Sequence, residues 1–144
     1  MSHEEHFRKL ERTYVAAACN HYYAPALKVS HGTSELTIAV QESFFHSGRA
    51  VHGSVYFKAL DDAAYFAVNS LIEDVAVLTV SFTIHFMRQV SEGQLKATGK
   101  VAHASERLFF AESVLTDSRD RVLATGVGTF VKSKVALSPD IGYQ

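Results

Sequence analysis

The sequence has little cysteine, little proline and almost no excess of charge. Its one cysteine, Cys19, cannot close a disulfide within the chain, which favours a reducing, cytoplasmic compartment. The only two prolines, Pro25 and Pro139, stand far apart, and no proline- or serine-rich linker or internal repeat divides the chain. We therefore expect residues 1–144 to form one domain with a short C-terminal tail over about 135–144.

Charge and hydropathy argue against two classes of partner. The formal net charge is -1, so no basic surface predicts binding to nucleic acid or to anionic lipid. No apolar stretch approaches the roughly 20 residues of a membrane-spanning helix. The N-terminus, Met-Ser-His-Glu-Glu-His, is polar and carries acids, unlike a signal peptide. We expect a cytoplasmic protein with neither a membrane nor a nucleic-acid partner.

Hydrophobic periodicity predicts two helices and six strands. In chain order they are a helix over about 4–22, strands over 27–31 and 35–42, a helix over 54–72, and strands over 75–86, 95–104, 108–116 and 121–133. The last four strands follow one another through short turns, which predicts a meander. This order is typical of an α+β domain in which a curved antiparallel sheet wraps a long central helix, here with an extra N-terminal helix.

Two of these elements carry patterns that predict their burial. The helix over 54–72 has Ala59, Ala63 and Ala67 at four-residue steps and no charge from Ala63 to Ile72, so we expect it to be largely buried. The strand over 75–86 alternates cleanly. Its predicted apolar face consists of Ala76, Leu78, Val80, Phe82, Ile84 and Phe86.

Two adjacent acids on the central helix are separated by helical geometry. Asp62 lies four residues after Lys58 and can pair with it on a solvated edge. Asp61 has no such local partner and shares its face with Phe57, Tyr65 and other apolar residues. A carboxylate there should have a raised pKa, which suits a general base or a nucleophile, although a buried acid that caps a neighbouring loop fits the same pattern.

Gly53 stands at the entrance of the same helix. Backbone N–H groups at a helix N-terminus are free and carry the positive end of the helix dipole, so they can polarise a carbonyl oxygen. A glycine also lets a substrate approach the backbone closely, although it can equally serve only to permit a turn.

The remaining histidines and the cysteine predict no further site. His3 and His6 lie near the start of the first helix, where we expect them to be solvated, and His85 and His103 are expected at a surface or interface. Cys19 is interpreted as helix packing. Since no Cys/His cluster is present, we expect neither a metal nor a cofactor.

From about residue 40 to 133 the sequence resembles the acyl-CoA thioesterases of the hotdog superfamily, and specifically the phenylacetate-pathway (PaaI-like) branch of the 4-hydroxybenzoyl-CoA thioesterases. The matching motif is His52-Gly53-Ser54 followed by an acid, Asp61, nine residues after the histidine. The helix continues through Asn69-Ser70, also similar to that branch, and 79–86 lies where the family has its long central strand. The resemblance implies a hotdog fold and hydrolysis of an acyl-CoA.

The resemblance also implies roles for single residues. Asp61 would be the general base or nucleophile, the Gly53 amide would polarise the thioester carbonyl, and His52 would shape the site. Thr79 lies where relatives have a serine or threonine that orients the water or the acid. His46 replaces an asparagine that holds the nucleophilic water in many relatives, and it can make one hydrogen bond there.

Substrate contacts and assembly follow from the same resemblance. Ser54 replaces a second glycine of the motif and is expected at the substrate. Phe57 and Tyr65 could line a pocket for an aromatic or an aliphatic acyl group, and Arg88 is a candidate for the CoA phosphates, with Arg49, Lys100 and Arg107. In the family the site forms between two subunits, which implies a homodimer, joined partly through 75–86, and a homotetramer built as a dimer of dimers.

Two other functions fit a hotdog domain. One is a module that binds acyl-CoA without hydrolysis, since His46 and Ser54 depart from the thioesterase pattern. The other is an acyl-chain hydratase or dehydratase. The second is disfavoured because no proline follows His46 and Leu60 stands where the dehydratase type has its glutamate.

Overall fold

The computed structural model describes all 144 residues, which form two α-helices and six β-strands. The helices are α1, His3–Ala16, and α2, Gly53–Asn69. The strands are β1, Ala26–Ser30, β2, Thr33–Ala39, β3, Val75–Phe86, β4, Gln94–Ala104, β5, Phe109–Thr116, and β6, Val122–Ala136. Three short 3₁₀ helices lie in the connections and the tail. Neither α-helix is long and apolar enough to cross a membrane.

The strands form one antiparallel sheet in the order β1-β2-β4-β5-β6-β3. The predicted four-strand meander is therefore wrong, because only β4, β5 and β6 are successive neighbours and β3 pairs with β6. On β6, a Cβ atom at Gly126 or Gly128 would overlap the ring of Phe82, so these glycines make room for β3. A turn signal such as Glu92-Gly93 predicts a reversal of the chain but not which strand becomes the neighbour.

The central helix α2 packs across the sheet as predicted. Ala59, Ala63 and Ala67 are all at most 1% exposed. The helix approaches β4 so closely that a Cβ atom at Gly99 would overlap the Ala63 carbonyl. The stripe of small residues thus fixes the height of α2 above the sheet, and with it the position of every side chain that α2 carries.

The predicted alternation of β3 is wrong in its first half. The register against β6 shifts directly after Thr79, at a β-bulge. Before the bulge Val77 faces the core with 1% exposure, whereas Leu78 is 54% exposed and Val80 60%. After the bulge Phe82 packs against the core, as predicted. Val77 and Thr79 share a side by ordinary alternation, and the one extra residue at the bulge moves the inward face by one position, so that Phe82 lies on that same side.

The N-terminal helix is shorter than predicted and holds a buried histidine. It ends at Ala16 because the next residue has an extended backbone, with φ -65° and ψ 129°. His6, expected to be solvated, is fully buried. Its Nδ1 lies 2.7 Å from the Tyr143 hydroxyl and its Nε2 2.9 Å from the Asn69 carbonyl oxygen. These contacts join α1 to the end of α2 and to the C-terminal tail, which packs on the domain.

Candidate active site

Asp61 lies near the middle of α2 and is half-buried. Its Oδ1 accepts a hydrogen bond from the Thr79 hydroxyl at 2.8 Å, and its Oδ2 has no hydrogen-bond partner in the chain. Burial raises the pKa of Asp61 above its ordinary value, and the opposing effect of the Thr79 hydrogen bond is smaller. The direction agrees with the expectation from the apolar helix face. The result is a carboxylate that is more basic than usual and has one free oxygen.

Asp62 is held in a different environment. Its Oδ2 lies 2.9 Å from Lys58 Nζ and accepts a hydrogen bond from the Tyr14 hydroxyl at 2.6 Å. The pair with Lys58 confirms the prediction, but its expected place on a solvated edge is wrong, since only 14% of the Asp62 side chain is exposed. The reason is that Tyr14 of α1 packs over this part of α2 and shields Asp62 from solvent. Burial raises the pKa of Asp62, although Lys58 and Tyr14 oppose the shift.

A cavity of about 430 Å³ surrounds Asp61 between α1, α2 and β3. Leu78, Tyr65 and Tyr14 contribute apolar surface to it. Burial, followed by the charges of the two aspartates, raises the pKa of Tyr65 to about 12, so its phenol stays protonated at neutral pH. Cys19, interpreted from the sequence as helix packing, is instead exposed after the end of α1 and lines this cavity.

The N-terminus of α2 forms a second candidate centre. His52 is the N-cap of the helix, and its Nδ1 accepts a hydrogen bond from the Ser54 N–H at 3.0 Å. The Gly53 N–H has no acceptor in the chain, as expected for the first residue of a helix. Gly53 lines a cavity of about 360 Å³, and a Cβ atom there would lie 3.0 Å from Phe86 Cε1. The Gly53 N–H is therefore an unpaired hydrogen-bond donor beside this cavity.

Two of the residues predicted for the site, His46 and Arg88, line the Gly53 cavity. His46 Nδ1 accepts a hydrogen bond from the Gly48 N–H at 2.9 Å, which leaves Nε2 for another partner. Tyr56, one turn into α2, donates to the Arg88 carbonyl oxygen at 2.7 Å and so fixes the chain that follows β3. Sequence reasoning missed Tyr56, and its position one turn after Gly53 could have suggested it.

Within one chain, Asp61 and Gly53 belong to different cavities. They are eight residues apart on one helix, which corresponds to about 12 Å along its axis. A single substrate carbonyl cannot touch both groups at that separation.

The other residues that were predicted to contact the substrate lie in different parts of the structure. Tyr65 lies with Asp61, and Arg88 lies with Gly53. Phe57 is 43% exposed and packs edge-on against Phe82, and neither it nor Ser54 lines either cavity of a single chain. No three His, Cys, Asp or Glu side chains converge as they would around a metal ion.

Known proteins share both sequence and fold with this chain. The family model described as "Thioesterase superfamily" matches residues 48–124, which include both candidate centres and more than half of the chain. A protein of Saccharolobus solfataricus that bears the name "Putative esterase" is 28% identical over 104 residues, 72% of this chain and 69% of that protein.

Two solved structures illustrate the likeness of fold. The PaaI protein from the phenylacetic acid degradation operon of Escherichia coli has a TM-score of 0.85 at 20% identity, over 94% of this chain and 98% of that one. A thioesterase family protein from Silicibacter pomeroyi has a TM-score of 0.81 at 22% identity, over 91% and 98%. The predicted hotdog fold is confirmed.

Proposed function

Since the chain belongs to the thioesterase superfamily, we propose that it hydrolyses an acyl-CoA thioester to a free acid and CoA. The observation that carries this proposal is the state of Asp61. Its pKa is raised by burial, Thr79 holds one of its oxygens, and the other oxygen is free beside a cavity. Such a carboxylate can take a proton from water or attack a carbonyl carbon itself.

The Gly53 amide supplies the electrophilic half of the reaction. As the thioester carbonyl carbon becomes tetrahedral, its oxygen gains negative charge, which the free N–H and the helix dipole stabilise. The CoA thiolate then leaves as the tetrahedral carbon collapses to the acid or to an acyl-Asp61 anhydride. In the second case water hydrolyses the anhydride. His52 fixes the start of the helix, and His46 Nε2 holds the attacking water where relatives use an asparagine.

The two halves of the site come from two subunits in this proposal. Asp61 and Gly53 of one chain are too far apart to act on one carbonyl, so Asp61 of one protomer faces Gly53 of its partner. A mirrored second site follows from two-fold symmetry. Ser54 and Phe57, which line no cavity of the single chain, lie near enough to Gly53 to contribute to such a joint site.

The free edge of β3 is the surface through which we expect the dimer to form. β3 pairs with β6 on one side only and ends the sheet. Leu78 and Val80 on this strand are 54% and 60% exposed, which is a large apolar exposure for an unpaired edge. Pairing of two β3 strands would cover them and continue the sheet. Two such dimers would then assemble into the homotetramer.

A panel of aromatic and aliphatic acyl-CoAs, assayed with a thiol reagent, tests the function. We expect release of free CoA from at least one member of the panel, and no release from the Asp61→Asn protein. Tight binding of an acyl-CoA without release of CoA would instead identify a binding module. Conversion of an enoyl-CoA to its hydroxyacyl form would identify a hydratase.

A further inference from the structure

We propose that the phosphates of CoA bind in a polar cavity next to the Gly53 cavity, with Arg119 as the principal phosphate contact and Arg88 beside it. This inference rests on the proposed function, because it assigns the part of the substrate that lies away from the reacting carbon. The two arginines lie far apart in the sequence. Arg88 follows β3, and Arg119 lies in the turn between β5 and β6.

The polar cavity and the Gly53 cavity are adjacent. The polar cavity has a volume of about 470 Å³ and lies between the connection from β3 to β4 and the turn from β5 to β6. Only one of the nine residues that line it is hydrophobic. Gln89 lines both cavities. A long, uncharged pantetheine arm separates the thiol of CoA from its phosphates, so a thioester held at Gly53 places the phosphates farther along this surface.

The charges of this surface favour an anion. Arg88 and Arg119 are exposed and neither forms an ion pair with a carboxylate of the chain. The two acids in the polar cavity are Asp117 and Glu92, and Asp117 is already paired with Arg121 at 2.8 Å. Within the polar cavity Glu92 is then the remaining negative charge and Arg119 the guanidinium without an ion pair. Arg88 adds a second such guanidinium in the Gly53 cavity, and the exposed Asp120 beside Arg119 lines a separate depression. Guanidinium groups bind phosphate through two parallel hydrogen bonds.

The turn that carries Arg119 is held in place before any ligand binds. Asp117 Oδ1 accepts hydrogen bonds from the N–H groups of Arg119 and Arg121, both at 2.9 Å. Ser118 Oγ accepts a third from the Gln94 N–H at 2.9 Å. Asp117 is 5% exposed, so these bonds are protected from water on one side. A preformed turn reduces the entropy that a ligand must otherwise overcome.

Of the other basic candidates from the sequence, Arg49 lies next to the polar cavity, since its carbonyl oxygen accepts a hydrogen bond from Ser91, whereas Arg107 and Lys100 lie elsewhere in the chain. Arg107 lies in the turn between β4 and β5, at the opposite end of these strands from the turn that carries Arg119. Lys100 lies within β4, paired with Glu112 of β5. Neither lines the Gly53 cavity or the polar cavity.

The test compares two thioesters of the same acid in full-length protein. One is the acyl-CoA, and the other is the N-acetylcysteamine thioester, which lacks every phosphate. For Arg119→Ala we expect the KM for acyl-CoA to rise by about tenfold, with kcat within about twofold of the wild type. The KM for the N-acetylcysteamine thioester should not change. Lys28→Ala, an exposed lysine on β1 at the other edge of the sheet, is the matched control and should change neither KM.

Each other result has a distinct meaning. If the wild type hydrolyses neither thioester, the proposed function itself is wrong. If it hydrolyses acyl-CoA and Arg119→Ala leaves that KM unchanged, the phosphates bind elsewhere and this inference is overturned. An equal rise of KM for both thioesters would also overturn it, because the effect would then be on the shape of the site. Arg119→Lys, which keeps the charge, should restore part of the affinity for acyl-CoA only.

Discussion

Asp61 and Asp62 are neighbours on one helix, yet their surroundings make them chemically different. Asp62 accepts a hydrogen bond from a tyrosine and pairs with Lys58, so its charge is satisfied within the chain. Asp61 keeps one oxygen free and faces a cavity. The sequence could indicate which of the two faces away from Lys58. It could not indicate that α1 would cover Asp62, because that contact joins residues 48 positions apart.

We predict that amide substitutions at the two positions impair different properties, turnover at Asp61 and stability at Asp62. Asp61→Asn should lower turnover by about 100- to 10,000-fold, because the amide can neither accept a proton nor attack. Asp62→Asn should keep turnover within a few-fold but lower stability by about 1–3 kcal/mol, because Lys58 loses its buried counter-charge. Steady-state kinetics and thermal unfolding of both proteins measure this. An inactive Asp62→Asn beside an active Asp61→Asn would contradict the assignment.

The same pair gives a prediction about pH and stability. Because burial raises the pKa of Asp61, ionisation of this group destabilises the fold, and stability falls as the pH rises through the folded-state pKa. Asp61→Asn removes that dependence, so its Tm relative to the wild type should be higher at pH 7 than at pH 4. Thermal unfolding of both proteins at the two pH values measures the difference in Tm. An equal difference at pH 4 and pH 7 would show that burial does not raise the pKa of Asp61.

Thr79 should set the pH at which the carboxylate becomes active. Its hydrogen bond lowers the pKa of Asp61, so Thr79→Val should raise that pKa and shift the acid limb of the pH–rate profile to higher pH. Turnover at neutral pH should fall by about tenfold. Thr79→Ser keeps the hydroxyl and is the control, expected to retain the wild-type profile. An unshifted profile for the valine variant would show that Thr79 does not act on the catalytic group.

The Gly53 amide can be removed with little cost to the fold. Proline fits the first residue of a helix, and His52 already has the extended backbone, φ -64° and ψ 144°, that precedes a proline. Gly53→Pro should lower turnover by about 100-fold or more while the protein stays folded. Gly53→Ala is the control for bulk, because it adds a Cβ against Phe86 but keeps the N–H. Equal losses in both variants would assign the effect to crowding instead.

Among the elements, α2 was the easiest to predict from the sequence and β3 the hardest to place. The small-residue stripe of α2 marks its buried face because a helix that packs closely needs such residues. The bounds predicted for β3, 75–86, agree with the structure, but its partner and the inward face of its first half do not. A β-bulge after Thr79 and the glycines of β6 decide both features. Each depends on a strand more than 40 residues away, which local periodicity cannot report.

The exposed edge of β3 gives a prediction at the scale of the element. Val80→Lys places a charge where the partner strand is expected, so the protein should become a folded monomer with little activity. Val15→Lys changes a valine of similar exposure on α1, 53% against 60%, and should leave assembly and activity intact. Light scattering measures the assembly, circular dichroism the folding, and steady-state kinetics the turnover. A fully active Val80→Lys monomer would contradict the shared site.

For the whole molecule, the proposed activity depends on assembly more than on any single residue. One chain contains a basic carboxylate and a free amide donor, but it holds them in separate cavities. The fold could be predicted from the sequence because the motif, the helix and the order of elements agree. The proposed joint site could be expected from the sequence only through the family, since helix and strand periodicity within one chain do not report which surfaces of two chains meet.

Complementation between two inactive variants shows whether Asp61 and Gly53 act together across a subunit interface. Gly53→Pro and Asp61→Asn are produced together with different affinity tags, and tandem purification selects oligomers that contain both. If Asp61 of one subunit acts with Gly53 of the other, each mixed dimer has one intact site and one doubly altered site. The mixed protein should then recover between about a quarter and a half of wild-type acyl-CoA hydrolysis, while each variant alone stays inactive. A mixed oligomer as inactive as its parents would contradict the account.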